Sequence, residues 1–212
     1  MPISEFITGD ELARMVGLTS GTSQYSNEPW LKFSYLGKIE FISKKTFRYN
    51  FPCDDLVNKH LVYGDRIIKI NDNNYKIRLI KGKTEGKQND TAHNFGSIYH
   101  NSEWNRLILP IHKNAPDKWE SKYNVSSSTD MVSWNINYTS RDLNLLEGKD
   151  SLTWKPFLFG YSTYCQELYE SADGVFRTAR GSGTDPSEAT DMITVIDLEA
   201  GGWRPVLELI DE

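Results

Sequence analysis

Arg66-Ile67-Ile68-Lys69-Ile70 and Tyr75-Lys76-Ile77-Arg78-Leu79-Ile80 flank Asn71-Asp72-Asn73-Asn74, and this stretch sets the fold class. On both sides apolar and charged residues alternate with a period of two, the pattern of a half-buried strand. Between them lie Asn and Asp, whose side chains bond their own backbone and tolerate positive φ. The stretch therefore predicts an antiparallel hairpin. Working outward, Trp30-Leu31-Lys32-Phe33-Ser34-Tyr35 alternates with Leu31, Phe33 and Tyr35 on one face. Leu36-Gly37-Lys38 supplies a turn and Ile39-Glu40-Phe41-Ile42 returns, a second hairpin. Toward the C-terminus, residues 161–170, 175–180, 192–198 and 203–210 are strand-like in composition.

Helical signals are short. Thr8-Gly9-Asp10-Glu11 has the form of a capping box, Leu12, Met15 and Val16 make an apolar stripe, and Gly17 is placed to end the helix. Residues 19–27, rich in Ser, Thr and Gly, read as loop. Pro52 in a first turn, followed by Asp54 and Asp55, predicts a short helix to about Leu61. Ser102 is expected to cap a helix carrying Trp104, Leu107, Ile108 and Ile111, shortened by Pro110. Residues 81–101 and 114–150 are polar and weakly periodic, and read as long loops. With no internal repeat and no low-complexity linker, the pattern predicts an α+β fold of short helices against antiparallel hairpins.

The chain has 212 residues, enough to bury a core without disulfide staples. Its formal charge is −5, which disfavours binding to a phosphate backbone. Lys76, Arg78, Lys81, Lys83 and Lys87 do cluster, but Lys76 and Arg78 read as the solvated face of a strand. No apolar run approaches the roughly 20 residues of a membrane span, and the first residues lack the basic and apolar regions of a signal peptide. The expectation is a complete, leaderless soluble chain without membrane insertion. Cys53 and Cys165 make no disulfide framework and no metal or redox motif; a single bridge and two buried thiols both remain open.

Chemistry-bearing motifs are incomplete. Gly82-Lys83-Thr84 lacks the upstream glycine of a phosphate-binding loop, since Ile77 stands there. Gly160-Tyr161-Ser162-Thr163-Tyr164 lacks the second glycine of a nucleophile elbow. Gly181-Ser182-Gly183 is too short for a dinucleotide loop. His60, His93, His100 and His112 have no metal-ligand spacing, and no metal or cofactor is expected. Asp185, Glu188 and Asp191 read as a solvated loop, without the pattern of a calcium loop. Carboxylates are numerous, but no spacing pairs two of them as a glycosidase requires. Three Asn-X-Ser/Thr sequons, at Asn89, Asn124 and Asn137, read as chance matches in a chain that is not secreted.

Val175-Phe176-Arg177-Thr178-Ala179-Arg180-Gly181-Ser182-Gly183 followed by Gly202-Trp203-Arg204-Pro205-Val206-Leu207-Glu208-Leu209 resembles the ending of modules with a C-type-lectin-like fold, including relatives of the formylglycine-generating enzyme. It is more similar to modules of bacteriophage virion proteins and bacterial surface proteins that finish with this tract. Counterparts run in order over residues 30–209, through Trp30-Leu31-Lys32-Phe33, Arg48-Tyr49-Asn50, Ser102-Glu103-Trp104-Asn105-Arg106-Leu107 and Tyr164-Cys165-Gln166-Glu167. The resemblance implies a C-type-lectin-like domain over residues 30–212, preceded by an attachment segment with a short helix over residues 1–29. Trp30, Trp104, Arg180, Trp203 and Arg204 take scaffold roles in this reading. The two arginines need carboxylate or carbonyl partners, and Pro205 belongs at a strand edge or start. The resemblance carries no activity across: the paired cysteines of the formylglycine enzymes are absent, as are the calcium-ligand motifs of sugar-binding lectins.

The expected function is that of a bacteriophage virion component without catalytic activity: a tail-fibre, tail-tip or head-decoration protein located in the particle. Its partners would be other virion proteins, further copies of itself and a host-surface glycan or protein. Ligand contacts are expected from Trp119, Tyr123, Trp134 and Tyr138, aromatics in Ser- and Asn-rich loops. Two alternatives stay open. One is an enzyme, glycan-cleaving or of the formylglycine type, which predicts a pocket with convergent carboxylates or paired thiols. The other is a purely structural oligomeric subunit.

Overall fold

The computed structural model describes residues 1–82, 102–108, 162–171, 174–180, 189–193 and 201–210. In chain order the elements are α1 (Gly9–Met15), β1 (Thr22–Ser23), β2 (Trp30–Tyr35), β3 (Lys38–Ser43), β4 (Arg48–Tyr49), α2 (Asp54–Asn58), β5 (Tyr63–Ile70) and β6 (Asn73–Arg78). A single π-helical turn (Trp104–Ile108) follows, then β7 (Ser162–Ser171), β8 (Gly174–Arg180), β9 (Ala189–Ile193), β10 (Gly201–Gly202) and β11 (Val206–Ile210). Short helices with mostly antiparallel sheets make this an α+β protein.

The main sheet has the order β2-β3-β11-β6-β5, with every pairing antiparallel. The last strand of the chain thus lies at its centre, between the two hairpins the alternation predicts. Pro205, which has no N–H to give, directly precedes β11, and its carbonyl accepts from Ser43 N–H at 3.3 Å. The expected four-residue turn of the second hairpin is shorter: Asn71 (φ 47°) and Asp72 (φ 67°) form it alone, and Asn73 already pairs with Ile70. Two residues at positive φ give the turn whose twist matches that of the flanking strands. Leu36 (φ 50°) and Gly37 (φ 78°) do the same between β2 and β3.

Period-two alternation divides this sheet into two faces. On the first lie Trp30, Phe41, Tyr75, Ile77 and Leu207, in one cluster with Leu12, Val16 and Leu18 from around α1 and Leu56 from α2. Residues 1–29, expected as a separate attachment segment, therefore share a core with the rest of the chain; Trp30 Nε1 donates to the Ile7 carbonyl at 2.8 Å. On the second face Ile42, Ile80 and Val206 pack with Trp104, Leu107 and Cys165, flanked by half-buried Leu31, Phe33 and Tyr35.

The capping box at Thr8 and Glu11 is complete. Gly17 (φ 69°) ends α1 with the paired bonds of a Schellman motif, from Leu18 N–H to Ala13 O and from Gly17 N–H to Arg14 O. Met15, expected in the apolar stripe, is instead exposed. The second helix ends at Asn58, short of Leu61, because His60 (φ 58°) makes the same kind of stop. Pro52 stands ahead of the N-cap residue Cys53, outside the first turn. Arg66 reaches from β5 to the last carbonyls near both helices, donating to Val16 O and Lys59 O, where a cation offsets the helix-end charge.

The expected helix after Ser102 is one turn, with Arg106 N–H bonded to Ser102 O at 3.0 Å; Pro110 and Ile111 lie outside the described residues. The second sheet has the order β10-β7-β8-β9. It meets the end of β6 through Gln166, whose backbone N–H donates to Ile80 O and whose Nε2 donates to Leu79 O.

Candidate functional site

The second face of the main sheet carries a band of charge beside its apolar cluster. Register places Phe33, Glu40, Glu208 and Lys76 in one row across β2, β3, β11 and β6. The neighbouring row is Leu31, Ile42, Val206 and Arg78. Arg78 is thus held at the border between apolar cluster and charge. Glu103 comes down onto it from the turn that carries Trp104.

Four residues form a closed network there. Arg78 Nη1 donates to Glu103 Oε2 at 2.9 Å, and Nη2 donates to Glu103 Oε1 at 2.5 Å and to Glu40 Oε1 at 2.7 Å. Its Nε lies 3.5 Å from Glu208 Oε2, while Glu208 Oε1 takes Lys38 Nζ at 2.6 Å. Lys81 N–H also donates to Glu103 Oε2 at 2.7 Å. All four side chains of the core network are buried, at 2–8% relative exposure. The expectation that Lys76 and Arg78 share a solvated face holds for Lys76 only: Arg78 faces the same way but is covered by the Trp104 turn.

Burial and bonding divide the two carboxyls that share Arg78 Nη2. Burial, joined by the charge of Glu103, pushes Glu40 up to about 8, against the pull of Arg78. Burial raises Glu103 too, but the bonds and charge of Arg78 hold it below the usual carboxylate range. At neutral pH Glu40 is mostly a neutral acid beside an ionised Glu103. The two carboxyls share a hydrogen bond, and Glu40 Oε2 is buried with no partner among the described residues.

This network floors a cleft of about 650 Å³. Lys38, Lys76, Lys81 and Arg106 add positive charge to its walls, Asp65 adds a carboxylate, and Tyr35, Tyr63, Leu36 and Gln166 complete them. The residues that build this floor were not legible as a site. Their signal was weak: Glu40, Arg78 and Glu208 each interrupt an apolar strand, but no local pattern joins positions so far apart.

Other expected site residues are placed differently. Trp119, Tyr123, Trp134 and Tyr138 lie outside the described residues, as do His93, His100, His112, Asp185 and Glu188. Trp30, Trp104 and Trp203 are the three largest fully buried side chains. Arg180 ends β8 opposite Thr163 and Ala189. Arg204, expected to find carboxylate or carbonyl partners, stacks on Trp104 at 5.4 Å, and among the described residues its Nε has no partner. Burial lowers its pKa to about 10. Arg177 does meet carbonyls, those of Cys165 and Gln166. Cys53 and Cys165 are separate buried thiols in different clusters, and burial pushes Cys53 up to about 11.

Among the described residues no group of three or more His, Cys, Asp or Glu is arranged to hold a metal ion. No helix among them is long and apolar enough to cross a membrane. Comparison with protein-family models, curated proteins and solved structures gives no match. The class defined by fold and geometry is therefore an α+β protein with a charged cleft on one sheet face.

Proposed function

We propose that the chain is a bacteriophage virion component, a tail-fibre, tail-tip or head-decoration module of C-type-lectin-like arrangement that recognises a host surface and catalyses no reaction. The ordered resemblance over residues 30–209 supports the virion part. One structural observation supports recognition: the cleft is lined by side chains already fixed on strands and on the Trp104 turn, Glu103 and Glu208 being bound to Arg78. Fixed polar groups lose little entropy on binding, whereas carboxylates locked on a guanidinium are poor nucleophiles or bases. The cleft volume lies within the range of about 300–1,000 Å³ usual for ligand sites.

Mass spectrometry of purified particles tests the first part; a chain absent from them is not a virion component. Labelled chain tests the second, and should bind cells of the strain that produces the particles. The Lys76→Glu variant should bind them less. Equal binding by that variant would remove the cleft from the recognition surface.

A glycan-cleaving enzyme is the second reading, favoured by the neutral Glu40 beside the ionised Glu103, a division of roles that glycoside hydrolysis uses. Release of reducing ends from the producing strain's surface polysaccharide, abolished by Glu40→Gln, would establish it over the recognition reading.

A further inference from the structure

We infer that the cleft over Arg78 takes an anionic saccharide, its carboxylate drawn by Lys76 and its neighbours and a hydroxyl donated to the unpartnered Oε2 of Glu40. This rests on the recognition reading above and names its ligand class.

Charge is the first argument. Among the described residues lining the cleft, five cations (Lys38, Lys76, Arg78, Lys81 and Arg106) stand against four carboxylates. One of the four, Glu40, is raised by burial to about 8 and so carries little charge at pH 7. A chain whose net charge is −5 thus gathers a positive surplus in one concave place. Low-dielectric walls focus such a field and favour an anion. Lys76 is exposed on β6, with no ion pair among the described residues, and so can serve a ligand.

The second argument is the floor. Glu40 lines the cleft and shares a hydrogen bond with Glu103, while its buried Oε2 has no partner among the described residues. Buried polar atoms are seldom left so, because the lost hydration costs about 1–3 kcal/mol. With its proton shared with Glu103, the carboxyl offers Oε2 as an acceptor, which suits a sugar hydroxyl better than it suits a bare anion.

The third is the rim. Leu36 is 77% exposed at φ 50°, a conformation that Gly or Asn takes far more readily, and Tyr63 is half exposed. An exposed leucine in a strained turn at a cleft mouth gives the C–H face of a sugar ring an apolar surface. Phosphate or sulfate alone would need neither this surface nor the hydroxyl partner.

Isothermal titration of the full chain with a galacturonic acid trisaccharide, the matching galactose trisaccharide and inorganic sulfate tests the inference. The acidic sugar should bind about tenfold or more tightly than the neutral one, and Lys76→Glu should lose a similar factor. Lys69→Glu, near the exposed tip of the same hairpin and outside the cleft lining, should bind as the parent does. Binding should also weaken as pH rises past 8. Tyr35 from β2, Lys38 from β3, Arg78 from β6, Glu208 from β11 and Glu103 from the Trp104 turn all face Glu40, which burial raises to about 8. Glu40→Gln should flatten this dependence. Equal affinity for the neutral sugar, displacement by sulfate at the same concentration, or indifference to Lys76→Glu overturns the inference. If labelled chain binds cells while neither sugar binds, the inference falls and the recognition reading stands. If it binds neither cells nor sugar, both fall.

Discussion

Arg78 and Glu103 meet fork to fork, Nη1 to Oε2 at 2.9 Å and Nη2 to Oε1 at 2.5 Å, beneath the turn that carries Trp104. Two parallel charge-assisted bonds fix both side chains in one orientation. This pair ties β6 to the Trp104 turn and holds the cleft floor in place. Because both groups are buried, removing one leaves the other charged without a counter-ion. Arg78→Met is therefore expected to cost about 3–5 kcal/mol, read as a fall in the urea midpoint. Adding Glu103→Leu should recover part of that loss, since the orphaned carboxylate is then gone. A double variant no more stable than Arg78→Met would show that the network contributes little.

Arg204 should behave in the opposite way. It is as buried as Arg78 but stacks on Trp104 with no carboxylate partner among the described residues, and burial already lowers its pKa to about 10. A guanidinium there costs desolvation that no ion pair offsets. Arg204→Met keeps the length and the contact with Trp104 while removing the charge. Thermal unfolding should show a midpoint equal to or above that of the parent. A loss comparable to that of Arg78→Met would mean Arg204 has a partner as strong as Glu103.

The same network sets a pH dependence of stability. Glu40 is raised in the folded state, from an ordinary 4.5 to about 8, so between those values the folded chain binds the extra proton. Its contribution is full below pH 4.5 and is lost as pH rises through 8, with a slope of at most about 1.4 kcal/mol per pH unit. Glu103 is lowered, so its contribution is present above 4.5 and is lost as pH falls below that. Urea midpoints should accordingly decline from pH 5 to pH 8.5, and Glu40→Gln should remove most of that decline. A midpoint that rises over this interval in the parent would contradict the protonation of Glu40.

Cys53 and Cys165 give a simpler test. Both are buried away from reagents, and burial raises Cys53 to about 11, so Cys53 presents no thiolate near neutrality. A thiol reagent at pH 8 should label neither in the native chain and both in denaturant. One fast-reacting native thiol would place that cysteine at the surface.

Local pattern carried the hairpins, the capping box and the end of α1, because each depends on residues a few positions apart. It could not place β11 between β3 and β6, since Leu207 and its partners Phe41 and Ile77 lie far apart in the chain. The charged floor was hidden for the same reason. Glu40, Arg78, Glu103 and Glu208 come from four separate segments. Each taken alone looks like the polar half of an alternating strand or a turn. Arg78 was read as solvated because alternation gives the face and says nothing of what covers it.

Gly9 shows how close packing can reverse a propensity. It is the first residue of α1, where Ala in place of Gly normally gains about 0.5–1 kcal/mol. A Cβ there would sit 2.5 Å from Phe47 Cγ and 2.8 Å from both Cδ atoms. The Phe47 ring cannot easily yield: it is fully buried, stands edge-on to Trp30 at 5.3 Å, and its backbone N–H is held by Trp203 O at 2.8 Å. Gly9→Ala should therefore destabilise by about 1–3 kcal/mol, as overpacking does. Adding Phe47→Leu makes room, so the double variant should lose less than the sum of the two single losses. Gly17→Ala is the control. It too should destabilise, through its φ of 69°, but its Cβ meets nothing within 4 Å, so Phe47→Leu should give it no relief. Simple additivity of Gly9→Ala with Phe47→Leu would place the origin of the loss in the backbone and not in the ring.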